Sequence, residues 1–359
     1  MDSTFSTSSK SLSRLGNLET LNLADNGFNK SFIKSLSAIK SLKNLNLKLS
    51  ALENLEKLDL SSNLLNGSIT TQEWNYMSKL SKLMHIDLSW NVFEKDILRF
   101  LGGALPDLKS VDLSHNEMQG PLSSKDMTNF SSLEILDISG NGFTGILSSY
   151  IGALPSLKAI SLSQNKLNGT LQLHTKDLGM LKKLEELDLS DNNFEGILPP
   201  CLRRLTSLRF LDISKNQFSG NVPSFVIANL TSLEYIDLSY NRFEGLFSFS
   251  SLANHSKLEV VRFKGENYRV EEDNKLVSES NKLVIETENP SWEPSFQLKV
   301  LLLPNCNLNN FSSNVPKFLF YQRELELVDI SHNRLKGSFP NWLIENNTKS
   351  SGQLFWGSI

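Results

Sequence analysis

One string recurs along this chain. Residues 184–199 read LEELDLSDNNFEGILP, residues 208–223 read LRFLDISKNQFSGNVP, and residues 233–247 read LEYIDLSYNRFEGLF. This recurrence constrains the fold more than the length of 359 residues does. Length alone suggests two or three domains. Repeats instead add units along one axis, and each unit contacts only its neighbours.

The aligned frame is L-x-x-L-x-x-L-x-L-x-x-N-x-[FL]-x-G-x-[ILVF]. Its Asn falls at Asn26, Asn63, Asn91, Asn116, Asn141, Asn165, Asn192, Asn216, Asn241 and Asn333. Weaker units fill the gaps. One lies at 42–47, one at 258–263 with Glu266 in the Asn slot, and one at 298–308 with Cys306 there. The total is about thirteen units at a period near 24, inside the leucine-rich-repeat range.

Each position of the frame has a physical task. The L-x-L pair alternates in and out and predicts a short strand with one buried face. Such strands stack in parallel. The Asn sits where the chain leaves the strand, and its amide can satisfy backbone groups of its own turn and the next. Phe28, Phe93, Phe143, Phe194, Phe218 and Phe243 are expected to stack as an aromatic spine. The Gly that follows permits a positive φ. Pro199, Pro223 and Pro340 favour an extended outer segment over a full helix. The expected fold is a leucine-rich-repeat solenoid of the α/β repeat type, with a curved parallel sheet on the concave face and extended or 3-10 segments on the convex face.

The extension N-x-[FL]-x-G-x-[IV]-P resembles the plant-specific class of this repeat. The phrases ETENPSW, FQLKVL, NCNLN and VDISHNRLKGSFPNWLIENNT resemble plant receptor-like proteins over residues 12–348. The resemblance implies a kinase-less cell-surface receptor that recognises a peptide or protein in defence or developmental signalling. It further implies the extracellular face of the plasma membrane, and a co-receptor kinase that supplies the output. Two alternatives stand beside it. One is a secreted inhibitor resembling polygalacturonase-inhibiting proteins. The other is a truncated product without independent function.

Several features of the full family pattern are missing from the sequence. The N-terminus lacks the apolar centre of a signal peptide. No run approaches the roughly 18 apolar residues of a membrane span. Both ends lack paired-cysteine caps, so a fragment of an ectodomain is the expectation. The expected organisation is a disordered segment at 1–14, plant-type repeats at 15–263, an insertion at 264–296, further repeats at 297–348, and an out-of-frame tail at 349–359. Cys201 and Cys306 lie several repeats apart, beyond disulfide reach in a solenoid.

Tests for chemistry return little. The net charge is −3, and no basic patch points to nucleic acid. The five His residues form no metal-ligand spacing, and no nucleophile elbow, phosphate loop or kinase signature occurs. The chain is expected to be a non-enzyme without cofactor or metal. Asp59, Asp87, Asp112, Asp137, Asp188, Asp212, Asp237 and Asp329 share the middle strand position and are expected to form a solvated ladder on the open face.

Two columns flank that ladder and vary freely, so they can discriminate ligands. Two clusters in them are candidates. His85, Trp90 and His115 lie on neighbouring units. Phe210, Lys215, Tyr235, Tyr240, Val260 and Arg262 lie on three consecutive units, with Phe210, Tyr235 and Tyr240 expected on adjacent strands. Aromatics beside Arg or Lys are the composition of interface anchors. Lys215 and Arg262 are expected to pair with a ligand carboxylate. Eight N-x-[ST] sequons are candidate glycosylation sites: Asn29, Asn66, Asn129, Asn168, Asn229, Asn254, Asn310 and Asn346.

Overall fold

The computed structural model describes residues 18–28, 54–66, 80–127, 129–147, 154–171, 181–265, 269–270, 276–277, 282–288, 292–347 and 353–355. The expectations for 1–14, for the weak unit at 42–47, for Glu266 and for Asn29 lie outside these residues.

The chain forms two compact units. One runs to Lys166 and the other from Leu167 onward, with residues 146–148 belonging to the second. Three-residue strands repeat through each. In the first unit Thr20–Asn22, Lys57–Asp59, His85–Asp87, Ser110–Asp112, Ile135–Asp137 and Ala159–Ser161 pair in parallel, each with the next. In the second, Glu186–Asp188, Phe210–Asp212, Tyr235–Asp237, Val260–Arg262, Val300–Leu302, Leu327–Asp329 and Gln353–Phe355 do the same. Register is fixed by the side-chain period of two. The central residue of each strand from Leu58 through Val328 is buried, and a slip by one residue would expose the whole row. Gln353–Phe355 pairs with Leu327–Asp329 although the tail departs from the repeat pattern, because strand pairing needs backbone groups and not consensus side chains.

The outer segments hold more regular structure than the expected extended and 3-10 pieces. From just after the Asn and across the Gly of the frame runs a second set of parallel strands. Gln119–Pro121 pairs with Gly142–Ile146. Lys166–Thr170, Asn193–Gly196, Gln217–Asn221, Arg242–Ser248 and Leu283–Glu286 follow one another. Beyond them lie short helices such as Asp96–Ala104 and Ser224–Ile227 and the 3-10 turns Pro200–Arg204, Phe249–Leu252 and Lys317–Tyr321. Within the stretch 264–296, Leu283 and Ile285 are buried and Trp292 packs against Phe249, Phe296 and Phe318.

The core holds Leu, Ile and Val from the inner strands and the Phe positions that follow the Asn. The spine is mixed and not purely aromatic. Phe194 and Phe218 stack with centroids 6.1 Å apart, but Leu65, Met118 and Leu167 stand between the other rings, all fully buried.

Candidate functional site

The candidate site is the face of the inner strands that is turned away from the core. Its shape depends on what holds each turn, beginning with the Asn. Asn216 is typical. Its Nδ2 donates to the carbonyls of Ile213 and Ser214 in its own turn and of Leu189 in the preceding repeat, at 3.2, 3.0 and 2.9 Å. Its Oδ1 accepts the backbone N–H of Phe194 at 3.0 Å. Asn63, Asn91, Asn116, Asn141, Asn165, Asn241 and Asn333 make the same set. The partners belong to the preceding repeat and not the following one. Cys306 stands in the slot as the alignment placed it. Its Sγ donates to Phe263 O at 2.6 Å, and burial pushes its thiol far up, so it stays protonated and keeps the donor.

The aspartates are not a solvated ladder. Each turns one oxygen onto the serine two residues on: Asp87 Oδ1 accepts from Ser89 N at 2.9 Å, Asp212 from Ser214 N at 2.9 Å, and Asp237 from Ser239 N at 2.8 Å. That contact is an Asx turn, and it shapes the exit from the strand. Burial is the main reason the carboxyls of Asp87, Asp112 and Asp237 rise above the usual range, and neighbouring aspartates add to it at Asp87 and Asp112. Asp212 is pushed up to about 6, again by burial first and then by Asp237 and Asp188.

The column just before the Asn carries a constraint that the sequence reading missed. Ser62, Trp90, His115, Gln164, Asp191, Lys215, Tyr240, Asn305 and His332 all adopt φ between +51° and +59°, and Gly140 joins them at +61°. This is the left-handed region, sparsely used by residues with a Cβ. Only Gly140, Gly265 and Asn305 hinted at it in the sequence. The turn therefore aims these side chains in a fixed direction.

The second-unit cluster divides between the two columns. Phe210, Tyr235 and Val260 stand side by side in the column that opens the strands. Phe210 and Tyr235 stack at 4.3 Å with 14° between planes. The Tyr235 hydroxyl sits between Asp212 and Asp237 at 3.4 and 3.5 Å. Arg262 covers the same ring at 5.5 Å and approaches Asp237 at 3.8 Å. Tyr240 is not on an adjacent strand. It belongs to the repeat of Tyr235, five residues on, at the turn beside Lys215. Arg262 is engaged by Asp237 and the Tyr235 ring through part of its guanidinium, while its Nε is buried without a hydrogen-bond partner.

The first-unit cluster divides in the same way. Trp90 and His115 stack at 4.0 Å, and Trp90 is 58% exposed. His115 lies flat over Gly140, where any Cβ would collide with the ring. His85 sits in the other column, aligned with Lys57 and Ser110. Burial and then Lys57 and Lys109 hold its imidazole below the usual range.

The sequons fall mostly at the surface. Asn129, Asn168, Asn229, Asn254 and Asn310 are exposed, and Asn66 and Asn346 half-buried. Asn129, Asn229 and Asn254 share one slot, six residues before the strands that begin at Ile135, Tyr235 and Val260. Among the described residues no group of His, Cys, Asp and Glu is arranged to hold a metal ion, and no helix is long and apolar enough to cross a membrane. His255 is fully buried, with its ring nitrogens 3.1 and 3.0 Å from the carbonyls of Leu252 and Ile227.

Comparison with known proteins places these features. Leucine rich repeat models match residues 168–218 and, separately, 132–154, 232–254 and 324–346. Receptor-like protein 13 of Arabidopsis thaliana is 44% identical over 95% of this chain and 32% of its own length. Receptor-like protein 14 of the same plant is 38% identical over 86% of this chain and 32% of its own length. The chain thus spans about a third of the length of these relatives. Among solved structures, a TDR receptor matches at a TM-score of 0.63 with 24% identity, over 94% of this chain and 56% of that one. The leucine-rich-repeat ectodomain of the Arabidopsis receptor kinase HAESA, in complex with an N-terminally extended IDA peptide hormone ligand, matches at 0.51 with 25% identity, over 92% and 60%.

Proposed function

The chain is a run of leucine-rich repeats of the plant receptor-like-protein type, and from that premise we propose that it is a non-catalytic recognition module whose exposed strand face binds a peptide or protein. The reading rests above all on the shelf formed by Phe210, Tyr235 and Val260. Two stacked rings and a β-branched side chain lie in register on three consecutive strands, with Arg262 across the second ring. Aromatic rings give contact area at low conformational-entropy cost. An extended segment laid across the strands meets all three side chains. The HAESA ectodomain, with its bound peptide hormone, is a precedent for the use of such a scaffold.

The module serves defence or developmental signalling at the outer face of the plasma membrane. A co-receptor kinase supplies the enzymatic step. The exposed sequons carry N-glycans in that setting, and the Trp90–His115 stack is a secondary contact.

The test is a photo-crosslink. Val260 is replaced by a benzophenone-bearing amino acid, and the full chain is panned against a displayed peptide library. Selected peptides are expected to crosslink at position 260 and to lose binding when Phe210 and Tyr235 are both changed to Ala. Peptides that bind equally well to the double variant would move recognition off this shelf.

A further inference from the structure

We infer that the turn edge of the second unit is a second subsite, a groove that receives an acidic segment of the peptide ligand. This deepens the recognition reading and rests on it, but the groove lies in the other column from the shelf. It is an open depression of about 470 Å³, lined at its rim by Asn193, Lys215, Gln217, Tyr240 and Arg242. Asn192 and Asn216 form part of its wall and hold the turns with their amides.

The two charged residues that line the depression are both cations. Lys215 and Arg242 bring two positive charges, and Arg242 brings the planar fork that matches a carboxylate. Tyr240, Asn193 and Gln217 add neutral donors. Lys264 lies over the Tyr240 ring at 5.5 Å and raises the positive potential further. Opposing charge comes from Asp191 in the turn and from Glu195 and Glu244, two residues beyond Asn193 and Arg242 on the same exposed face of the outer strands. Lys215 meets Asp191 at 3.9 Å, but both side chains are more than half exposed, so water screens the pair and a ligand carboxylate can replace it. Among the described residues no carboxylate pairs with Arg242. This concentration of cations stands on a chain whose net charge is −3.

The left-handed turn supports the same conclusion. Lys215 and Tyr240 have φ of +51° and +56°, so the backbone sets the Cα–Cβ direction of both before any ligand arrives. In an extended segment, acidic side chains two residues apart face the same way. A ligand lying across the repeats can therefore set two carboxylates into the groove. Arg262 takes the strand position of the aspartates, beside the shelf, and does not line this groove.

The test uses the full chain and two fluorescein-labelled, C-terminally amidated peptides, one with Glu alternating with Gly and one with Gln in place of Glu. Anisotropy is expected to show about tenfold tighter binding of the Glu peptide, diminishing as salt is raised. The double variant Lys215→Ala with Arg242→Ala removes the preference. The double variant Lys215→Glu with Arg242→Glu transfers it to a Lys–Gly peptide, a gain that a misfolded protein cannot produce. Tyr235→Ala leaves the Glu preference in place. Equal binding of the Glu and Gln peptides by the native chain, or a preference that survives the Ala double variant, overturns the proposal. If library peptides still crosslink at position 260 in that case, the groove alone fails. If the Glu preference holds but nothing crosslinks at 260, the shelf alone fails.

Discussion

A single side chain, the ladder asparagine, carries much of the fold. In Asn216 two N–H hydrogens are shared among three carbonyls, and the amide oxygen takes a buried backbone donor. Replacing it by Ala strands several buried polar groups at about 1–3 kcal/mol each. Asn216→Ala is expected to lose about 3 kcal/mol or more by denaturant titration. Asn26→Ala, at an exposed turn where the partners among the described residues are its own-turn carbonyls, loses under about 1 kcal/mol. Equal losses at the two sites contradict this account. The residue before the Asn gives a prediction of the opposite sign. Gln164 is exposed and held at φ +53°. Gln164→Gly is expected to relieve backbone strain and raise stability by up to about 1 kcal/mol, after the greater freedom of Gly in the unfolded chain is subtracted. A drop in melting temperature would show that this turn is unstrained.

These residues also show how much the sequence disclosed. The Asn and its task were legible because the amide is the obvious small group that can bond a turn on several sides. Cys306 could be placed in the same slot by counting. The Asp position looked like a solvated column because a carboxylate on an open face has that as its simplest reading. The serine two residues on, present beside every one of these aspartates, was the overlooked sign of the Asx turn. The left-handed column hid because it holds Trp, His, Lys and Tyr, residues that do not signal a positive φ.

At the scale of elements, the inner strands were legible from their period of two, and the outer strands were not. Segments such as NFEG and QFSGN are too short and too polar to read as strands alone. They pair because each repeat presents the same extended backbone beside its neighbour. Gly245 shows the tolerance of this sheet. It has φ +75°, and a Cβ there would strike the side chain of Asn221. Gly245→Ala is expected to cost about 1–2 kcal/mol, read as a lower midpoint in chemical denaturation. An unchanged midpoint would mean that the outer strands pair with more slack than their geometry indicates. The strand Leu283–Glu286 lay inside a stretch that broke the period, so nothing local marked it as the partner of Arg242–Ser248. The candidate site was half legible. Its aromatics were found from column position, but their division into a shelf and a groove needed the turn. Arg242 and Lys264 were missed because they flank the expected columns.

For the whole molecule, the raised aspartates contribute a pH dependence opposite to ordinary acid denaturation. A carboxyl that titrates near 6 when folded and near 4 when unfolded binds more protons in the folded state across that interval. Folding is then favoured at the lower pH, and stability declines as pH rises from about 4 to about 6. Asp87, Asp112 and Asp237 act in the same direction. Glu234, held below the usual range by Arg209, acts against them, but that pair is largely exposed and screened. His255 and His85, whose imidazoles burial holds below the usual range, also act against them, because the unfolded chain binds their protons first as pH falls. The share of Asp212 is therefore read as a difference: between pH 4.5 and pH 6.5 the melting temperature of Asp212→Asn, which keeps the oxygen that accepts from Ser214, is expected to fall less, or rise more, than that of the native chain. An equal change with pH in both proteins would contradict the assignment.

The central claim is that recognition and folding use different faces of the same repeats. The most direct test measures affinity and stability together in two variants, with a library-selected peptide as the probe. Tyr235→Ala is expected to weaken the peptide by about 2 kcal/mol while the melting temperature changes little. Phe218→Ala, at a fully buried ring, is expected to cost about 3–5 kcal/mol of stability and to leave the affinity of the folded fraction unchanged. An unchanged affinity in Tyr235→Ala, or a loss of stability there equal to that of Phe218→Ala, would contradict the separation.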